Sequence, residues 1–149
     1  MSFDSHQFRA QRMNWKFRTA GGSGVFMRQY SELPTKTRNW IGTRIALNPH
    51  EIPVIGMRDS NDVWLIATTA RLVWGCDGRS TELSYADLDG ASPFREDSAD
   101  ATLANVESGR LVLRTVIGEL SLQAEPGPPF VGLWAVLDML ARRPVPTEP

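Results

Sequence analysis

The chain has 149 residues, of which 42% are hydrophobic and 22% charged, and its formal net charge is −1. This composition is that of one ordinary globular domain, and no uninterrupted apolar run is long enough to be expected to cross a bilayer. Its single cysteine, Cys76, excludes an internal disulfide, and the N-terminal sequence lacks a secretory signal, so we predict a cytoplasmic protein.

The charge is unevenly distributed along the chain. Residues 1–44 contain eight basic and two acidic side chains, a net charge of +6, so the remainder carries −7. Such asymmetry predicts either that the two parts pack together or that the basic part is an interaction arm. Aromatic residues are interleaved with the basic ones in this segment: Phe8, Trp15, Phe17, Phe26, Tyr30 and Trp40.

Local patterns within residues 1–45 are weak. Residues 4–18 are compatible with a helix, although their apolar positions form no clean stripe. A second short helix is expected over residues 37–47, because Asn48-Pro49 would end it. The GGSG sequence at residues 21–24 is typical of a flexible hinge. We predict that residues 1–45 are a partly helical extension packed on the rest of the chain.

From about residue 53 to residue 124 the sequence predicts short strands separated by turns. Asp77-Gly78 is a strong hairpin signal, because a type I′ turn needs positive φ at both central positions. Residues 87–100, rich in Asp, Ser and Pro, are expected to form a loop. The predicted strands are PVIGMR, VWLIAT, RLVWGC, STELSY, ATLANV, RLVLRT and GELSLQA. Their short links favour an antiparallel meander that closes towards a barrel, or a strongly bent sheet, of six to seven strands.

The C-terminal segment changes its period from strand to helix. Residues 129–142 carry apolar side chains at helical spacing, with Pro128 and Pro129 at the start and Pro144 after the end. This helix is expected to cap the barrel, and the tail at residues 144–149 is predicted to be disordered. The predicted fold is therefore mainly β, and the helices at both ends of the chain place it in the α+β class.

Few residues suggest catalysis. His6 lies near a terminus expected to be mobile, whereas His50 and Glu51 are adjacent in a loop and could form a base and its orienting carboxylate. Adjacent residues rarely point at one target, however. The one Cys and the two His are too far apart in the sequence to match the ligand spacing of a zinc site. The GGSG segment lacks the Lys-Ser/Thr ending of a phosphate-binding loop. We predict no enzyme, no metal and no cofactor, with a His50–Glu51 enzyme as a distant alternative.

Several segments together resemble the pleckstrin-homology-like superfamily, in particular its small bacterial and GRAM-type members. These segments are LNPHEIPV, WLIATTARLVW, LSYADLDG and the C-terminal helix. The resemblance implies one domain over residues 46–143 and a module that binds phosphoinositides, peptides or proteins. Lipid-binding members carry Lys and Arg on the first hairpin, but here residues 57–62 contain two Asp and one Arg. Phosphoinositide binding is therefore not expected.

These observations favour an interaction module. The leading hypothesis is a binding protein for a protein partner, such as a bacterial immunity or accessory protein for a larger effector, with self-association through edge strands also open. The alternative is nucleic-acid binding by the basic, aromatic-rich residues 1–44, although the pI near 6.1 argues against a large basic face. The candidate partner-binding residues are Arg12, Trp15, Arg18, Arg28, Trp40 and Trp64.

Overall fold

The computed structural model describes residues 3–76, 78–94 and 108–141. Within them the chain is α+β, with two antiparallel sheets in the orders β1-β2-β3-β4-β5 and β6-β7-β8. The helices are α1 (Phe3–Ala20), α2 (Thr35–Gly42) and α3 (Pro128–Leu140). The strands are β1 (Arg28–Gln29), β2 (Pro53–Arg58), β3 (Trp64–Thr68), β4 (Arg71–Cys76), β5 (Arg79–Ser84), β6 (Leu88–Pro93), β7 (Arg110–Thr115) and β8 (Gly118–Gln123).

The larger sheet is the predicted meander. Cys76 pairs with Arg79 across the predicted β4–β5 hairpin, and Gly78 has the positive φ of 77° that such a tight turn requires. The described strands of the two sheets are not hydrogen bonded to each other. The predicted strands that fall within the described residues, and their antiparallel pairing, are thus confirmed, whereas closure into a barrel stays a prediction.

Successive side chains of a strand point to opposite faces of a sheet. In β3 and β4 of the larger sheet both sets of side chains are buried, each in its own hydrophobic cluster. Leu65, Ala67, Leu72 and Trp74 join the main core, which also contains residues of α1, α3 and the smaller sheet. The opposite face forms a second cluster, in which residues of and near α2 cover the sheet. Its buried members are Leu33, Ile41, Trp64, Ile66 and Val73.

The smaller sheet corrects one expectation. Residues 88–93 form β6, whereas residues 87–100 were expected to be a loop. Leu88 and Ala91 are buried and pair with β7, with a register irregularity before Gly90. β6 is an edge strand, where a residue such as Pro93 is tolerated because one side of the strand needs no ladder partner. The predicted strand ATLANV lies outside the described residues, as does the tail at residues 144–149.

α1 and α3 are packed closely together. Met13 and Phe17 of α1 are fully buried. A Cβ atom at Gly132 would lie only 2.8 Å from the Phe17 ring, and one at Gly21 only 1.8 Å from the Pro128 carbonyl oxygen. The predicted C-terminal helix is confirmed, and Trp134 donates a hydrogen bond from Nε1 to the Ala91 carbonyl at 2.9 Å, which ties it to β6.

The GGSG segment therefore has a different role from the expected flexible hinge. Gly21 permits close contact between backbone atoms. After it, the Glu125 carboxylate accepts hydrogen bonds from three successive backbone N–H groups, those of Val25, Phe26 and Met27, at 2.7–2.9 Å. These hydrogen bonds hold the segment between α1 and β1 to the short connection between β8 and α3.

α2 is shorter than its sequence suggested. It begins at Thr35 and ends at Gly42, rather than extending to residue 47. At its C-terminus the Thr43 hydroxyl donates a hydrogen bond to the Trp40 carbonyl at 2.7 Å, which adds to the bond that this carbonyl accepts from the Thr43 N–H. The buried side chain of Ile41 fixes this helix on the larger sheet.

Candidate functional site

The exposed face of α1 carries two large aromatic side chains. Phe8 and Trp15 are 62% and 57% exposed, and Arg12 lies between them, with its guanidinium carbon 5.8 Å from the centroid of the Phe8 ring. Residues spaced by three and four share one face of a helix. We call Phe8, Arg12 and Trp15 the aromatic ridge.

The ridge stands on a firmly anchored helix. The opposite face of α1 carries the buried residues His6, Ala10, Met13 and Phe17. At 3.6 residues per turn, Lys16 and Arg18 fall on the two flanks of the ridge, and Arg18 is exposed. An apolar strip is thereby bordered by positive charge on both sides.

Of the six residues predicted to bind a partner, three lie on this helix. Arg12, Trp15 and Arg18 are exposed on α1. Arg28 is half-buried in β1, and its Nε atom donates to the Gly24 carbonyl at 3.3 Å. The remaining two, Trp40 and Trp64, belong to the second hydrophobic cluster.

Trp40 and Trp64 are occupied by contacts within the chain. Their rings meet edge to face, with centroids 5.8 Å apart and an interplanar angle of 79°. The guanidinium carbons of Arg44 and Arg58 lie 3.5 and 4.1 Å from the centroid of the Trp40 ring, which is cation–π geometry. Trp64 is only 5% exposed. Trp40 of α2 thus covers Trp64 on this face of the larger sheet.

A network of hydrogen-bonded polar side chains lies at the turn between β3 and β4. The sequence did not predict which residues it joins. Thr68 donates a hydrogen bond to the Glu51 carboxylate, and the Arg71 Nε atom donates to the same carboxylate at 2.9 Å. Thr69 accepts a hydrogen bond from the Ile52 N–H at 3.0 Å. We call Glu51, Thr68, Thr69 and Arg71 the polar hub.

The electrostatics of the polar hub keep Glu51 ionised. Burial alone would raise the pKa of Glu51, but hydrogen bonds from Arg71, Thr68 and the Asn48 N–H together lower it. The hydrogen-bonded ion pair with Glu51 raises the pKa of Arg71. Burial also raises the pKa of Tyr85, so its hydroxyl remains protonated and donates to the Thr68 carbonyl at 2.7 Å.

His6 was overlooked by sequence reasoning, which placed it at a mobile terminus. It is 5% exposed on α1 and hydrogen bonded through Nδ1 to the Thr69 hydroxyl. Beside it an open cavity of about 450 Å³ is formed by α1, the polar hub and the turn after β5. We call it the His6 cavity, and its lining includes His6, Arg9, Asn48, Ser84, Tyr85 and Leu140.

The two residues of the His50–Glu51 pair lie in different surroundings. Glu51 is buried and bound to Arg71, whereas His50 is exposed and has a positive φ of 70°. No group of three His, Cys, Asp or Glu side chains within the described part of the chain could hold a metal ion. None of the described helices is long and apolar enough to cross a membrane.

Comparisons with protein-family models, with curated proteins and with solved structures find no match to this chain.

Proposed function

We propose that the chain is a non-enzymatic interaction module that binds a protein partner through the aromatic ridge. The observation that carries this proposal is the exposure of Phe8 and Trp15 on one face of a helix whose other face is buried. Exposed aromatic and Arg side chains on a preorganised surface are typical anchors of protein interfaces. Single exposed apolar residues such as Ile117 are common on proteins and support no such role.

The charges near the ridge suggest the chemistry of the partner. Arg12 lies within the ridge and Lys16 and Arg18 border it, so the matching surface would be an apolar groove rimmed by Asp and Glu. A small protein of this kind would serve as an immunity or accessory factor for a larger effector.

For the fold we propose a pleckstrin-homology-like domain that begins near residue 46. Support comes from the order of elements, because among the described residues β2 to β8 are antiparallel strands and α3 follows them. The basic segment that carries α1 would then be an addition to this domain, and the partner site would lie on the addition.

The experiment is native purification of the tagged full chain, followed by size-exclusion chromatography. Wild type should elute with a stoichiometric partner, and Trp15→Ala should elute without it. Ile117→Ala is the matched control, because it also removes an exposed apolar side chain but lies in the β7–β8 turn. Elution of wild type as a free monomer, or partner retention by Trp15→Ala, would contradict the proposal. Elution as a homodimer would indicate self-association instead.

Nucleic-acid binding is the second candidate, and one observation favours it. The aromatic ridge presents two exposed rings with a guanidinium between them, which suits base stacking combined with phosphate contact. Fluorescence anisotropy with a labelled single-stranded oligonucleotide tests this at low salt. Binding that weakens steeply with added salt and with Arg12→Gln would support it. An unchanged anisotropy at low salt would exclude it.

A further inference from the structure

The His6 cavity contains a positively charged group, Arg9, that no described residue neutralises. Arg9 is half-buried and donates one hydrogen bond, from Nη1 to the Thr69 carbonyl at 3.0 Å. It forms no ion pair with any residue in the described ranges. Burial lowers the pKa of Arg9, which reflects the loss of hydration around its guanidinium. A guanidinium has five N–H donors, so the described residues use only a small part of the hydrogen-bonding capacity of Arg9.

The carboxylate nearest to this cavity is already occupied. Glu51 contributes to the lining, but its oxygens accept hydrogen bonds from Arg71, Thr68 and the Asn48 N–H. Arg71 lies 2.9 Å from it as its ion-pair partner. Glu51 therefore compensates Arg71, and Arg9 has no anionic partner among the residues that the structure describes.

The other polar groups of the cavity also offer donors. Nδ1 of His6 is hydrogen bonded to the Thr69 hydroxyl, which also accepts a hydrogen bond from the Ile52 N–H, so Nε2 is the ring nitrogen of His6 left for a ligand. The Ser84 hydroxyl oxygen accepts from the Ala86 N–H at 3.3 Å, which leaves its own proton available. Arg9 and Ser84 thus combine a positive charge with a neutral donor, and the His6 ring lies beside them in the lining of the cavity.

We infer that the His6 cavity binds a small organic anion through a carboxylate or phosphate group held by Arg9. The volume of about 450 Å³ accommodates a small metabolite, and Leu140 and Ala86 supply an apolar wall for its carbon skeleton. This site is separate from the proposed partner surface, because His6 belongs to the buried face of α1 and the aromatic ridge to the exposed face.

Nuclear magnetic resonance of the full chain tests the inference. Inorganic phosphate and acetate are titrated separately at constant ionic strength, and the His6 ring resonances are followed. Saturable shifts with phosphate alone indicate a phosphorylated ligand, and shifts with acetate alone indicate a carboxylate. Arg9→Gln should weaken binding by about tenfold, since a charge-assisted hydrogen bond is lost. Arg79→Gln, which removes an exposed Arg on β5, should bind like wild type.

Two results would overturn the inference: absence of a saturable shift with either anion, or equal affinity in wild type and Arg9→Gln. If circular dichroism shows that Arg9→Gln is unfolded, Ser84→Ala replaces it. That variant removes one neutral donor and should weaken binding by about fivefold; unchanged affinity would equally overturn the site. Ridge variants such as Trp15→Ala should retain anion binding, so failure of the partner proposal would leave this result intact.

Discussion

His6 on α1 and Thr69 in the β3–β4 turn are hydrogen bonded to each other across 63 positions of the chain. This contact joins the first turns of the N-terminal helix to the turn of a hairpin. Thr69 also holds Arg9 through its carbonyl. The turn in the sequence WLIATTARLVW is thus an attachment point for α1 as well as a link between two strands.

Acidification should weaken the fold through His6. Burial lowers the pKa of His6 from its usual value of 6.5, and the nearby positive charge of Arg9 acts in the same direction. Because the folded-state pKa is the lower one, the unfolded chain takes up more protons as the pH falls below about 6.5, and stability should decrease there. Thermal denaturation across this range measures the decrease. His6→Gln, which cannot titrate, should flatten the dependence; identical profiles for wild type and His6→Gln would contradict the assignment.

Glu51 and Glu82 provide a matched pair of variants, because both carboxylates contact Arg71. Their distances from it are 2.9 and 3.0 Å, but the side chain of Glu51 is fully buried and that of Glu82 is 57% exposed. Glu51→Gln should lower the free energy of unfolding by about 3 kcal/mol, since it leaves a mostly buried cation poorly compensated. Glu82→Gln should lower it by less than about 1 kcal/mol. Urea denaturation compares the two, and equal losses would refute a dominant role for the polar hub.

The pH dependence of the Glu51 contribution should fall in a different range from that of His6. The pKa of Glu51 is lowered in the folded state, so its stabilisation is present above the usual pKa of 4.5 and is lost as the pH falls through the lowered value. Wild type should therefore lose stability in two stages on acidification. Denaturation of Glu51→Gln below pH 4.5 checks this, because that variant should lack the second stage.

Gly21→Ala tests the contact between α1 and α3. The added Cβ atom would lie 1.8 Å from the Pro128 carbonyl oxygen, a backbone atom that can move only if the helix moves. We expect a loss of about 2 kcal/mol in the free energy of unfolding, in the range for overpacked sites. Gly42→Ala is the control, because no atom lies within 4 Å of its added Cβ. Wild-type stability in Gly21→Ala would show that the helices do not approach so closely.

Trp15 and Trp64 should respond oppositely to substitution by alanine. Trp64 is 5% exposed within the second hydrophobic cluster, so Trp64→Ala should lower the free energy of unfolding by about 3–5 kcal/mol. Trp15 is 57% exposed, and Trp15→Ala should stay within about 0.5 kcal/mol of wild type. Chemical denaturation followed by circular dichroism gives both values. A large loss of stability in Trp15→Ala would mean that the ridge is structural.

Much of the fold was predictable because its signals are local. Alternating side chains and turn residues such as Asp77-Gly78 specify strands and hairpins within a few positions, and the Pro-bounded apolar stripe specified α3. β6 was missed because its Asp, Gly, Ser and Pro residues have low strand propensity, and pairing with β7 outweighs that preference.

The candidate sites were predictable only in part. Composition alone showed that residues 1–44 are basic and rich in aromatic residues. Because α1 has apolar residues on several sides, the sequence could not predict that Trp15 is exposed to solvent whereas Phe17 is buried in the core. That separation depends on which face of α1 packs against α3. The His6 cavity likewise needs α1, the loop at Glu51 and the β3–β4 turn to meet. The sequence by itself determined most of the strands and turns, the C-terminal helix and the charge of the N-terminal segment. Tertiary packing decided that residues 88–93 form a strand, which aromatic residues are exposed and which polar residues converge, because long-range contacts leave no periodic signal.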